Sequence, residues 1–217
     1  MSRWFPRLTA AAPLVLVAVA VAACGTAARE PATADPAPLS PAARARADGG
    51  RPPYTAADVD FMSGMIVHHA QAVLIAGWAP THGAGPAVRV LCERIVVAQR
   101  DEIAFMQRWL GHRGEPVPDA DPGHAHAGML MPGMLTADQL AELDRARGAE
   151  FDRLFLTYMI QHHEGALTMV ETLFGENGAA QDEDIFKFAA DVNADQTTEI
   201  DRMRTMLAEQ SPGGRNP

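Results

Sequence analysis

The stretch Met159-Ile160-Gln161-His162-His163-Glu164-Gly165-Ala166-Leu167-Thr168-Met169 decides the fold, because the chain carries it twice. Its earlier copy is Met65-Ile66-Val67-His68-His69-Ala70-Gln71-Ala72. Setting His68 on His162 is a shift of 94 residues (162 − 68), and it also sets Phe61 on Phe155, Met65 on Met159, Ile66 on Ile160 and Ala72 on Ala166. A second match follows at a shift of 97 (199 − 102), where Gln99, Glu102, Ile103, Met106 and Leu110 fall on Gln196, Glu199, Ile200, Met203 and Leu207. One unit is therefore repeated, each copy holding a His pair on its first helix and a Gln-x-x-Glu on its second. Repetition over this length signals two copies of one supersecondary unit packed together.

Apolar residues around both motifs recur at helical spacing. Thr55 is the expected N-cap of the first helix, with Asp58 in its first turn, and Pro80 stops that helix near Ala79. Met62, Met65, Ile66, His69, Val73 and Ala76 share one face, and Phe61, Met65, His68 and Ala72 the adjoining one. Pro86 opens the second helix, which runs to Leu110 with Gly111 as its cap. Thr136-x-x-Gln139 is a capping box that opens a third helix, bending near Gly148 and ending near Gly175. The fourth runs from Asp182 to Glu209. Gly165 and Ala72 are read as sites of close packing between helices. No stretch alternates with the two-residue period of a strand. The expected fold is all-α: a four-helix bundle built from two helix hairpins, repeat one over 55–111 and repeat two over 136–209, joined by a crossover loop over 112–135.

Outside the bundle, residues 1–23 read as a secretory leader, with Arg3 and Arg7 ahead of an apolar run. The run ends Val21-Ala22-Ala23-Cys24-Gly25, which resembles a bacterial lipobox and marks Cys24 for lipidation. Lipid chains on Cys24 would hold the protein on the outer face of a membrane without a spanning helix. Residues 24–54 are rich in Ala, Pro and Arg and read as a disordered tether, and 210–217 as a flexible tail. The net charge of −9 argues against nucleic acid as a partner. Cys92 sits in the second helix's apolar seam and is read as core.

The doubled Met-Ile-x-His-His, Gly133-Met134-Leu135-Thr136 and Phe151-Asp152 resemble the ferritin-like family named for domain of unknown function 305. The resemblance covers about residues 55–208. It implies a ferritin-like bundle, secretion or membrane anchoring in bacteria, and for some members an association with copper handling.

The side chains support copper separately. Met62, Met65 and His69 are spaced i, i+3, i+7 and point one way, and Met159, His162 and Met169, spaced i, i+3, i+10, also share one face. Imidazole with thioether suits copper, and thioether favours Cu(I). Methionine at helical spacing is also ordinary core filler. Glu102 and Glu199, with Gln99 and Gln196 beside them, face the His pairs across the expected core as outer partners. Either each glutamate fixes a histidine tautomer and frees the other nitrogen for metal, or the pairs only satisfy one another as a buried polar network. The crossover loop adds His124, His126, Met129, Met131 and Met134 in a Gly/Pro-rich segment, read as exposed metal ligands.

A di-iron carboxylate enzyme is disfavoured. Its bundle needs Glu-x-x-His on two helices, whereas Glu164 is matched by Ala70 in the other repeat. No catalytic residue is assigned. The sequence thus predicts an extracytoplasmic lipoprotein that binds copper ions through His and Met, for buffering, delivery or tolerance. The alternative is a metal-free structural bundle that binds another protein of the cell envelope.

Overall fold

The computed structural model describes residues 54–120 and 131–210. The leader, Cys24, the tether, the 211–217 tail and the loop residues His124, His126 and Met129 lie outside the described residues. Five helices and no strand occur among those described: α1 (Ala56–Gly77), α2 (Pro86–His112), α3 (Ala137–Arg145), α4 (Ala149–Gly175) and α5 (Glu183–Gln210). α1 with α2 and α4 with α5 form two hairpins, and α1 packs on α4 to join them into a four-helix bundle.

Local chemistry sets the helix ends. Thr55 and Asp58 form a reciprocal capping box at the start of α1. Asp58 is fully buried, and its second oxygen accepts from the Ala180 amide at 2.7 Å, tying this end of α1 to the turn between α4 and α5. Gly85 caps α2, and its amide donates to both carboxylate oxygens of Asp152 at 3.1 Å. Burial raises the Asp152 carboxyl above its usual range, partly offset by that amide. α2 continues past the expected Gly111 to His112, and the buried Arg113 beyond it pairs with Asp182 at 2.6 Å.

The expected third helix is two. Thr136 and Gln139 make the capping box, but α3 stops at Arg145 and α4 starts at Ala149. Gly148 between them holds φ +58°, a left-handed conformation that glycine adopts at no steric cost, and its amide donates to the His82 carbonyl at 2.8 Å. This break lets α3 fold beside α4 as a short brace.

The core has two apolar halves. One gathers Ile75, Cys92, Ile95, Phe151, Phe155, Met159 and Met203. The other gathers Met62, Met65, Ile66, Met106, Val170, Phe188 and Val192. α1 is long and apolar enough by composition to cross a membrane, and here it is a core helix of the bundle. Cys92 is buried in the first half, as expected, and burial pushes its thiol up to about 12.

Gly165 is indeed a close-packing site, but against the crossover loop rather than another helix. A Cβ there would stand 2.0 Å from the Pro132 carbonyl oxygen and 2.5 Å from Gly133 Cα. Gly133 holds φ +76°, and a Cβ on it would reach the Gln161 carbonyl at 2.5 Å. Two glycines thus let the loop lie directly on the α4 backbone. Gly165→Ala should lower stability by about 1–3 kcal/mol, the usual range for overpacking. Gly77→Ala, where a Cβ meets nothing within 4 Å, should be neutral or slightly stabilising. Urea unfolding midpoints of the two variants check this.

Candidate metal centre

Between the two apolar halves the helices carry polar side chains, and both histidine pairs meet there. His68, His69, His162 and His163 are all fully buried. The rings of His68 and His162 lie against each other, with centroids 3.8 Å apart and planes inclined by 40°. His69 and His163 point toward the second helices. His163 Nε2 donates to Glu199 Oε2 at 2.7 Å. His69 Nε2 stands 2.8 Å from Glu102 Oε2, an ion-pair contact whose angle departs from that of a hydrogen bond. The two contacts are the repeat expressed in three dimensions.

The symmetry breaks at one place. His162 Nε2 donates to the backbone carbonyl of His68 at 3.1 Å. His68 Nε2 donates instead to the carbonyl of Pro132 in the crossover loop, at 3.0 Å. The loop is fixed there by further bonds. Gln71 Oε1 accepts from the Leu135 amide at 2.7 Å and its Nε2 donates to the Leu135 carbonyl at 3.2 Å. Gln161 Nε2 donates to the Gly133 carbonyl at 3.2 Å.

These partners define the tautomers. A carbonyl oxygen only accepts, so Nε2 of His68 and His162 carries the proton, and the Glu199 carboxylate assigns the same form to His163. In the neutral rings of His68 and His162 the lone pair then sits on Nδ1. Nδ1 of His68, His69, His162 and His163 is buried in every case and has no hydrogen-bond partner among the described residues. Burial, then the neighbouring His69, lowers the His68 pKa to about 3, against the opposing bond to Pro132. Burial, then His68, His163 and His69, holds His162 well below its ordinary value. Both are neutral at pH 7, the form that ligates metals.

The methionines divide. Met62 and Met65 lie in one apolar half and Met159 in the other, so Met65 and Met159 flank the histidine layer from opposite sides. Met169, half-buried, meets Met131 over Gly64. A Cβ on Gly64 would stand 3.1 Å from Met131 Sδ and 3.4 Å from Met169 Cε. Both thioethers line a groove of about 560 Å³ with Asp60 and Glu176. Met134, expected as an exposed loop ligand, is buried at 3% exposure, because Gly133 and Gln71 draw the end of the loop onto the bundle.

Among the described residues no three His, Cys, Asp or Glu side chains gather closely enough to hold a metal by themselves. The donors present are thus imidazole nitrogens plus thioethers, a soft set that fits copper better than zinc. Glu164 pairs with Arg204 at 2.8 Å on the surface and does not point into the layer. Gln71, Gln161 and Pro132 were not anticipated as partners of the layer. The signal in the sequence was Gly133 and Gly165, whose lack of Cβ permits the approach.

Fold and layer together define a helical bundle with buried histidines at its centre. The chain belongs to the family described as domain of unknown function DUF305, whose model matches residues 58–207. Among solved structures it resembles a DUF305 protein from Streptomyces coelicolor (28% identity, TM-score 0.62, covering 71% of this chain and 93% of that one). It also resembles a DUF305 fragment from Deinococcus radiodurans (30%, 0.62, 73% and 99%). CopM in its Cu(II)-bound form is similar at 26% identity and TM-score 0.58, covering 71% of this chain and 97% of CopM. CopM structures with Cu(I) and with silver match as well. No curated protein sequence matches.

Depressed imidazole pKa values make stability depend on acid. Below about pH 6.5 the unfolded chain takes up protons that His68 and His162 in the fold refuse until far lower pH. Their contribution is therefore complete above pH 6.5 and declines as pH falls toward 3. The limiting slope is about 1.4 kcal/mol per pH unit for each such histidine. His162→Asn should flatten the fall in unfolding free energy between pH 6.5 and 4.5, measured by urea titration.

Proposed function

We propose that this chain is a copper-binding lipoprotein of the bacterial cell envelope, serving copper buffering, delivery or tolerance. The observation that carries the reading is the set of four buried Nδ1 atoms without partners among the described residues while their Nε2 atoms face carbonyls or carboxylates. That is how metal-ligating histidines are held, with one nitrogen oriented by an outer partner and the other free to bind. Glu102 and Glu199 are those outer partners for His69 and His163. Gln99 and Gln196, buried on the same helices, complete the surround. Met62, Met65, Met159 and Met169 supply thioethers on either side, and Met131 adds one from the loop. His124, His126 and Met129 act as a capture segment, while Met134 contributes only if the loop lifts. Similarity to CopM, solved with Cu(I), Cu(II) and silver, supports a soft-metal reading. Acylated Cys24 would keep the bundle at the outer face of the membrane.

A metal-free bundle is the second reading. It is favoured by the Nε2 contacts, which already stabilise the layer, and by the lack of three His, Cys, Asp or Glu side chains at ligating spacing among the described residues.

Competition against a Cu(I) chelator separates the two. The wild-type chain should retain Cu(I). Replacing His124, His126 and Met129 by Ala should lower the stoichiometry and leave the unfolding midpoint unchanged. Replacing His69 and His163 by Ala should lower both, with a loss of about 1–3 kcal/mol for each glutamate left unpaired. A wild-type chain that gives up all its Cu(I) to the chelator favours the metal-free bundle. Cys24→Ser should move the protein out of the detergent-soluble membrane fraction, and unchanged fractionation removes the lipid anchor from the account.

A further inference from the structure

On the far side of the histidine layer from the crossover loop's Pro132 contact, α2 and α5 leave a cleft of about 190 Å³ between them. Its lining is Arg94, Gln99, Glu102, Asp195, Gln196 and Glu199, with Ala98 and Thr198 of the same two helices. Each glutamate uses one oxygen on its histidine, Glu102 on His69 and Glu199 on His163, which leaves the second for the cleft. Gln99 and Gln196 are 3% and 4% exposed. Gln99 Oε1 and both terminal atoms of Gln196 have no partner among the described residues, although a buried amide normally finds one. Three carboxylates face one guanidinium, that of Arg94. Asp195 is pushed above the ordinary carboxylate range by burial and by the charges of Glu102, Asp191 and Glu199, against which Lys187 acts weakly. The cleft is an oxygen-rich, under-neutralised pocket with unpaired amides on its floor.

We propose that this cleft binds one hydrated divalent cation of the magnesium type, held through its water shell by Glu102, Glu199 and Asp195 and by the amides of Gln99 and Gln196. The volume matches about six waters at about 30 Å³ each. Magnesium prefers octahedral oxygen coordination and gives up its waters reluctantly. Direct ligation does not fit, since no three carboxylates stand at ligating spacing among the described residues. Water-mediated bonds span the longer distances and satisfy amide donors and acceptors alike. Among the described residues no thioether or imidazole lines the cleft, so its donors are hard and distinct in kind from the soft donors of the layer, although Glu102 and Glu199 also serve the layer as partners of His69 and His163. A cation here would tie α2 to α5 across the cleft.

The test uses the full chain freed of copper, with Mn²⁺ as a paramagnetic probe followed by water-proton relaxation. One Mn²⁺ should bind per chain and be displaced by Mg²⁺. It should also be displaced by cobalt(III) hexammine, an exchange-inert complex that binds only through its intact shell. Asp195→Asn should weaken Mn²⁺ by about tenfold, the loss of one charged contact, while helicity and Cu(I) retention stay as in wild type. Three results overturn the proposal: no Mn²⁺ bound at one per chain, equal affinity in Asp195→Asn, or Mn²⁺ that cobalt hexammine does not displace.

Discussion

Four buried imidazoles packed between two apolar half-cores are the constraint on which this structure depends. A buried polar group without a partner is costly, and a buried charge more so. The bundle answers for one nitrogen of each ring. His162 bonds the His68 carbonyl, His163 bonds Glu199, His69 contacts Glu102, and His68 bonds Pro132. The opposite nitrogens are left unanswered. A layer needed only for stability could be replaced by well-packed apolar side chains. Ligation of a soft cation, as proposed above, would give the unpaired nitrogens a use.

The crossover loop is part of the same constraint. A strictly two-fold arrangement would have His68 and His162 bond each other's carbonyls. Pro132 takes that role for His68, and the loop reaches it because Gly133 and Gly165 lack Cβ atoms and Gln71 holds Leu135 at both its amide and its carbonyl. The loop end therefore closes one side of the layer and brings Met131 beside Met169. The other side opens through Glu102 and Glu199 to the cleft between α2 and α5. The centre is thus covered by a soft-donor loop on one face and fronted by carboxylates on the other.

Much of this was legible in residue order. The 94- and 97-residue shifts gave the two hairpins, and the His pairs with Gln-x-x-Glu gave the layer's members, because a repeat fixes which residues occupy equivalent places. Helix ends at Thr55, Pro86 and Thr136 followed from capping chemistry. The split at Gly148 was read as a bend, since a glycine in a helical pattern does not reveal the sign of its φ. Met134 was read as exposed because a Gly/Pro-rich segment looks solvated, and only the tertiary contact with Gln71 and α4 shows that its end is packed. Which histidine nitrogen faces which partner depends on inter-helix distances that spacing does not carry.

The most direct measurement is the tautomeric state of His68 and His162 by long-range proton–nitrogen NMR on the purified chain. At pH 7 the account predicts that these two rings are neutral and protonated on Nε2, with Nδ1 at the shift of a bare lone pair. Adding silver(I), a diamagnetic stand-in for Cu(I), should move those Nδ1 resonances and leave Nε2–H in place. Imidazolium rings, protons on Nδ1, or Nδ1 resonances that silver leaves unmoved would contradict it.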